Sequence, residues 1–220
     1  HQRVLEGGAN RKGVTAGLVI DLANKPLTER LPWGDEPVVR GLLTATPYLA
    51  VSPLERLRVD ATLPVHAMGW GPNQQFTTAG DLRMGVAYDV LPQRGFLPGM
   101  TVLATGWVPT GAEANFVGLP TAALGGVAAL SQRIGAFGWT VNAGARWAPM
   151  TQVRESQVGA GLLGGAGLQL APWERMGLVA ELAVDGTRGM LDVPLEAGAG
   201  VRLQGEKGKF WNVMATTGLT

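Results

Sequence analysis

Cysteine is absent from the 220 residues, which excludes disulfides and thiol-based nucleophile or metal chemistry. Histidine is nearly absent too, with only His1 and His66. Charged residues are 16% of the chain, against roughly 25% in an ordinary soluble domain. The formal net charge of +1 makes no electrostatic case for nucleic acid. Lys and Arg are scattered rather than clustered, so the basic footprint of such a binder is missing. No apolar run approaches the roughly 18 residues of a membrane-spanning helix, and no secretory signal is visible. The sequence begins at His1 rather than Met and reads as a processed or excised piece, with any export signal upstream.

What is abundant is glycine, 33 residues, which weighs against helices because each interior Gly costs roughly 1 kcal/mol there. Apolar residues are also plentiful and recur with a period of two. From Arg56 to Ala67, Leu57, Val59, Ala61, Leu63, Val65 and Ala67 share one face, while Arg56, Arg58, Asp60, Thr62 and His66 share the other. That period means an extended strand with two chemically opposed faces. In the segment from Leu82, Met84, Val86, Tyr88 and Val90 oppose Arg83, Gly85, Ala87 and Asp89. Trp139, Val141, Ala143, Ala145 and Trp147 oppose Thr140, Asn142, Gly144 and Arg146. Further on, Val193, Leu195, Ala197, Ala199, Val201 and Leu203 oppose Asp192, Glu196, Gly198, Gly200 and Arg202.

The pattern predicts about eleven strands, near 13–23, 38–51, 55–68, 81–91, 98–109, 119–131, 136–148, 156–171, 175–185, 191–204 and 209–219. Tight turns are expected at Ser52-Pro53, Gln93-Arg94-Gly95, Gln132-Arg133, Pro172-Trp173-Glu174 and Gly205-Glu206-Lys207-Gly208. Longer connections at 24–37, 69–80, 110–118, 149–155 and 185–190 alternate with them. Short periplasmic turns alternating with longer outer loops are the rhythm of an up-and-down barrel in an outer membrane. Several strands are also longer than the usual 5–6 or so residues of soluble sheets, and a tilted membrane-crossing strand needs roughly 9–11.

The expectation is therefore an all-β, antiparallel, up-and-down transmembrane β-barrel of about twelve strands, one domain over residues 1–220. Its first strand runs outward, and Asn24 to Pro37 lies outside the cell. Pro47, Pro64 and Pro194 fall inside expected strands, where each removes a ladder donor; they mark bulges or strand ends near the rim. Single-chain bacterial barrels usually have an even strand number, so the eleventh strand calls for a twelfth, returning one beyond Thr220.

Four segments occur in a characteristic order: Glu55-Arg56-Leu57-Arg58-Val59, Leu63-Pro64-Val65, Gly80-Asp81-Leu82-Arg83-Met84-Gly85 and Val108-Pro109-Thr110-Gly111. Together they resemble the N-terminal barrel of myxobacterial-type OmpA-family outer-membrane proteins and related barrels described as transporters, from about Val14 onward. The resemblance implies an outer-membrane location and an anchoring barrel. It implies peptidoglycan binding only through a further domain, to which nothing in this sequence is similar, and it supplies no catalytic residue.

If the apolar faces meet lipid, the lumen receives Arg56, Arg58, Asp60, His66, Arg83, Asp89, Asn142, Arg146, Glu181, Asp192, Glu196 and Arg202. Arg or Lys on the lipid face near the midplane would instead cost roughly 2–4 kcal/mol each. With both signs present, these side chains either fill a narrow barrel with ion pairs or line a polar conduit. Tryptophans near strand ends are expected as interfacial girdle residues: Trp70, Trp107, Trp139, Trp147, Trp173 and Trp211. Trp33 is the seventh.

Other chemistries find little support. A Ser-His-acid arrangement would need His66 with Ser52, Ser131 or Ser156, all at expected turns or strand ends. A metal would have only oxygen ligands such as Asp35, Glu36 and Glu113. The run Gly159–Gly167 lacks the Lys-Ser/Thr of a phosphate-binding loop and reads as a close-packed strand. No cofactor and no enzymatic activity are expected. The expected role is a non-enzymatic outer-membrane barrel, structural or anchoring, with limited solute passage; a porin-like transport channel is the alternative. A soluble β-sandwich ranks below both.

Overall fold

The computed structural model describes residues 13–31, 34–70, 74–111, 119, 121–153, 156–187, 195–204 and 210–218. Among them there is no helix. The strands are β1 (Gly13–Leu31), β2 (Gly34–Leu54), β3 (Leu57–Thr62), β4 (Val65–Trp70), β5 (Gln74–Ala79), β6 (Leu82–Leu91), β7 (Gly99–Val108), β8 (Ala123–Ile134), β9 (Phe137–Trp147), β10 (Thr151–Val153), β11 (Ser156–Val158), β12 (Gly161–Leu170), β13 (Met176–Thr187), β14 (Leu195–Gln204) and β15 (Phe210–Gly218). Thirteen form one antiparallel up-and-down sheet; β10 and β11 make a separate hairpin.

The thirteen strands are eleven ribbons, because β3 with β4 and β5 with β6 are each a single ribbon interrupted once. The interruptions have a common cause. Pro64 breaks the third ribbon, since it has no N–H to give the ladder, and Pro47 lies on the facing stretch of β2. Leu63 N–H donates to Pro47 O at 3.3 Å, and Gly80 N–H donates to Pro64 O at 2.8 Å. The break thus passes from Pro47 through Pro64 to Gly80 on three successive ribbons. Pro194 lies outside the described residues.

Two expected long connections turn out to be strand. Over 24–37, β1 and β2 continue as a paired hairpin with register shifts between Asn24 and Thr28. Over 69–80, β4 and β5 pair through Trp70 and Gln74. The connection at 149–155 likewise carries the β10–β11 hairpin. Longer ribbons at this end satisfy their own backbone groups, as isolated loops do not.

At the opposite end the connections are tight, though not all stand at their expected positions. Ser52-Pro53 is absorbed by a register shift between Val51 and Leu54, and the chain reverses at Glu55-Arg56 instead. The reversal expected at Gln132-Arg133 occurs at Gly135-Ala136. Gly135, at φ 57°, occupies the positive-φ position of a two-residue hairpin turn, which glycine enters without a Cβ clash. The turn expected at Gln93-Arg94-Gly95 closes at Gly95-Phe96, between the bridged Arg94 and Leu97, and the one around Pro172-Trp173-Glu174 is where the sequence places it. Residues 205–208 and 188–190 lie outside the described residues.

Burial divides the sheet by face. On β6 the exposed residues are Met84, Val86, Tyr88 and Val90, while Gly85, Ala87 and Asp89 are buried. On β7, Thr101, Leu103 and Thr105 are buried and Val102 and Ala104 exposed. Among the described residues no helix or second layer covers this inner face, so its burial comes from the curl of the sheet itself. The sheet is not closed: among the described residues no ladder joins β1 to β15.

Candidate functional site: the inner face of the sheet

The distribution of side chains is inverted relative to a water-soluble domain. Among the described residues the buried apolar ones number six, three of them alanine: Ala87, Leu103, Ala123, Val127, Ala129 and Leu163. Asp89, Thr101, Thr105, Ser131 and Thr140 are buried beside them, Asp89 at 5% exposure. On the other face Leu22 is 82% exposed, Leu162 70% and Val213 68%. Burying such a side chain is worth about 1.5–3 kcal/mol in water, so this sheet forgoes that gain along most of its ribbons.

Glycine makes the inner face workable. Asp60 stands opposite Gly85, and its carboxylate lies over it so closely that a Cβ there would be 2.9 Å from Oδ1. Asn142 opposite Gly165 repeats the device, with Oδ1 3.1 Å from the position of a Cβ. Tyr48 lies over Gly17 in the same way, and Trp107 over Gly125. Bulky or polar inward side chains are thus laid flat along the wall, each on a neighbour that has no side chain.

The polar residues singled out in the sequence fall as follows. Arg58, Asp60 and Arg83 meet: Arg58 Nε is 3.8 Å from Asp60 Oδ2, and Arg83 Nη1 is 3.9 Å from Asp60 Oδ1. Asp89 accepts a hydrogen bond from Thr101 Oγ1 at 2.7 Å. Arg146 pairs with Asp185 across the intervening β12, at 3.3 Å. Arg202 donates from Nε to Asn212 Oδ1 at 2.9 Å and from Nη1 towards Gln169 Oε1 at 3.5 Å. Glu181 and Glu196 are half-buried, in register with Gly198 and Ala183. His66 Nδ1 shares a hydrogen bond of 2.9 Å with Thr44 Oγ1. Arg56 lies in the Glu55-Arg56 reversal and is exposed, because the turn sits three residues later than Ser52-Pro53. Asp192 lies outside the described residues.

Tryptophans divide between the faces. Trp147 and Trp211 stand exposed on the outer face. Trp139 shares that face and donates from Nε1 to Gln132 Oε1 at 3.3 Å. Trp173 is exposed in the tight turn between β12 and β13. Trp107 lies on the inner face, opposite Arg83 and the buried Ala123. Trp70 is in β4, its side chain outside the description. Among the serines, Ser131 is buried on β8 opposite Thr140 and Gly99; Ser52 is half-buried in β2.

Sequence reasoning missed several inner-face groups. Thr101 and Thr105 alternate with Leu103 and Trp107, whose apolarity blurs the polar face of β7. Asp185 sits in a strand that reaches Thr187 rather than in a connection. Asp81 and Thr110 form a clasp where the proline break meets β7. Thr110 Oγ1 accepts from Leu82 N–H and donates to Gly80 O, each at 2.9 Å. The Asp81 carboxylate accepts from Gly111 N–H at 3.0 Å and Leu119 N–H at 2.6 Å. The Leu63-Pro64-Val65, Gly80-Asp81-Leu82 and Val108-Pro109-Thr110-Gly111 segments therefore converge along one line.

The outer face carries shallow apolar grooves. In one of about 670 Å³, Leu124, Trp147 and Leu162 stand around Gly126, Ala145 and Gly186. No protein-family model matches the chain, and no curated protein matches it.

Proposed function

We propose that this chain is a non-enzymatic β-barrel of the outer membrane, whose apolar face meets lipid and whose inner face is a narrow, largely side-chain-filled lumen. Its role on this reading is structural anchoring with limited solute passage. One observation carries the reading: Asp89, Thr101, Thr105, Ser131 and Thr140 are buried while Leu, Ile, Val and Trp stand exposed on the alternate positions. Water makes that arrangement unfavourable on both faces, and hydrocarbon makes it favourable on both. Closure follows from the same physics, because each unpaired edge group in lipid costs several kcal/mol. Ten antiparallel steps separate β1 from β15 among the eleven ribbons, so these edges run in the same direction. A twelfth ribbon, antiparallel to both, would complete an even barrel.

The test is tryptophan quenching in vesicles whose acyl chains carry bromine. Variants retaining only Trp147 or only Trp211 should be strongly quenched, and one retaining only Trp107 should be spared. Equal quenching of all three, or a compact monomer soluble without detergent, would overturn the proposal.

A further inference from the structure

Among the described residues, three polar side-chain atoms on the inner face are buried without a hydrogen-bond partner: Arg58 Nε, Arg83 Nε and Thr105 Oγ1. They belong to one patch. Asp60, Gly85 and Thr105 occupy a single ladder row; Arg58 and Ala87 lie in the next row on one side, and Thr62, Arg83 and Trp107 on the other. Two guanidinium groups therefore share one carboxylate. Neither reaches it within hydrogen-bond distance, the nearest separations being 3.8 and 3.9 Å. Asp89, the next carboxylate along β6, is turned to Thr101. The Asp60 carboxylate itself lies over Gly85 in the middle of the patch, and the arginine side chains on either side keep 23–25% exposure.

An arginine presents its Nε–H and one Nη–H as a planar fork that matches two oxygens of a carboxylate or phosphate. In this patch the Nε ends of two such forks lack acceptors, and positive charge exceeds negative by one. We infer that Arg58, Arg83 and Thr105 form a binding site for a small oxyanion, a phosphate or carboxylate group entering from the lumen, with Asp60 as the internal competitor that holds the two arginines apart when it is empty. The inference rests on the inner face being a lumen. It adds a ligand class that an anchoring role does not require.

The competitor gives the site a signature of opposite signs. Inorganic phosphate is titrated into the full chain reconstituted in vesicles, and binding is read from 31P line broadening. Wild type should bind at millimolar phosphate. Arg83→Gln or Arg58→Gln should weaken binding by about tenfold or more, as loss of a charged hydrogen-bonding group implies. Asp60→Asn should tighten it, and Arg133→Gln, exposed near the end of β8, should leave it unchanged. The Asp60 variant keeps the test decisive if an arginine variant fails to fold. No binding by wild type, or weaker binding in Asp60→Asn, overturns the site. Acyl-chain bromine quenching of Trp147 in the same vesicles separates that result from failure of the barrel reading, which would abolish the quenching itself.

Discussion

Gly144 shows how tightly single residues are held on this wall. It sits between Val127 and Leu163 in one ladder row, and a Cβ built on it would run into Gly126 O and come within 2.9 Å of Val127 Cα. Those are backbone atoms of a paired strand, so they cannot swing aside as a flexible side chain would. Gly126, one ribbon away and on the outer face, would place its Cβ 3.9 Å from the nearest atom. Gly144→Ala should therefore destabilise the fold by about 1–3 kcal/mol, the usual cost of overpacking, and Gly126→Ala should stay within about 0.5 kcal/mol of wild type. Urea titrations of the two refolded variants check the difference. The sequence shows glycine in excess without showing which glycines are obligatory, because the distinction depends on what the neighbouring ribbon places opposite.

Among elements, period-two alternation marked some ribbons clearly, the turns between them helped to mark the Ala/Gly-rich rest, and eleven stretches of sequence correspond to eleven ribbons of the sheet. Their ends were less legible. Ser52-Pro53 has turn chemistry, yet a bulge absorbs it; Gln132 and Arg133 look like a turn, but they tie the β8 end to its neighbour. Gln93 Nε2 donates to Arg133 O at 2.7 Å, and Arg133 N–H donates to Gln93 Oε1 at 3.0 Å. Hydrogen bonds between adjacent reversals have no sequence signature. Alternation is also silent about which face meets which medium, and β6 offers the means to decide. Val86 lies mid-strand on the exposed face. If that face meets hydrocarbon, Val86→Arg should cost about 2–4 kcal/mol near the midplane; if it meets water, the change should be within about 0.5 kcal/mol. Urea unfolding in vesicles distinguishes these values, and a near-zero effect would count against the membrane reading.

For the whole molecule the open question of the sequence was whether paired charges or a conduit occupy the interior. The described ion pairs run along the wall, within one ribbon as Arg58 with Asp60, between adjacent ribbons as Arg83 with Asp60, or across one as Arg146 with Asp185. What most restricts the inner face is apolar and was not anticipated. Ala87, Leu103, Val127 and Leu163 cluster in one ladder row, with Gly144 between the last two, and Leu103 retains only 3% exposure. A leucine so enclosed on the inner side of a single curled sheet means that side chains fill the space beside it. On the proposed reading, planar-bilayer recordings of the wild-type chain should show small conductance steps or none. Leu103→Ala should cost about 2–5 kcal/mol in stability, as truncation of an enclosed leucine does. Combined with Leu163→Ala, it should enlarge the steps, since the two deletions open the same row. Large wild-type steps, unchanged by both truncations, would show that current passes elsewhere and that the enclosed row is not the constriction.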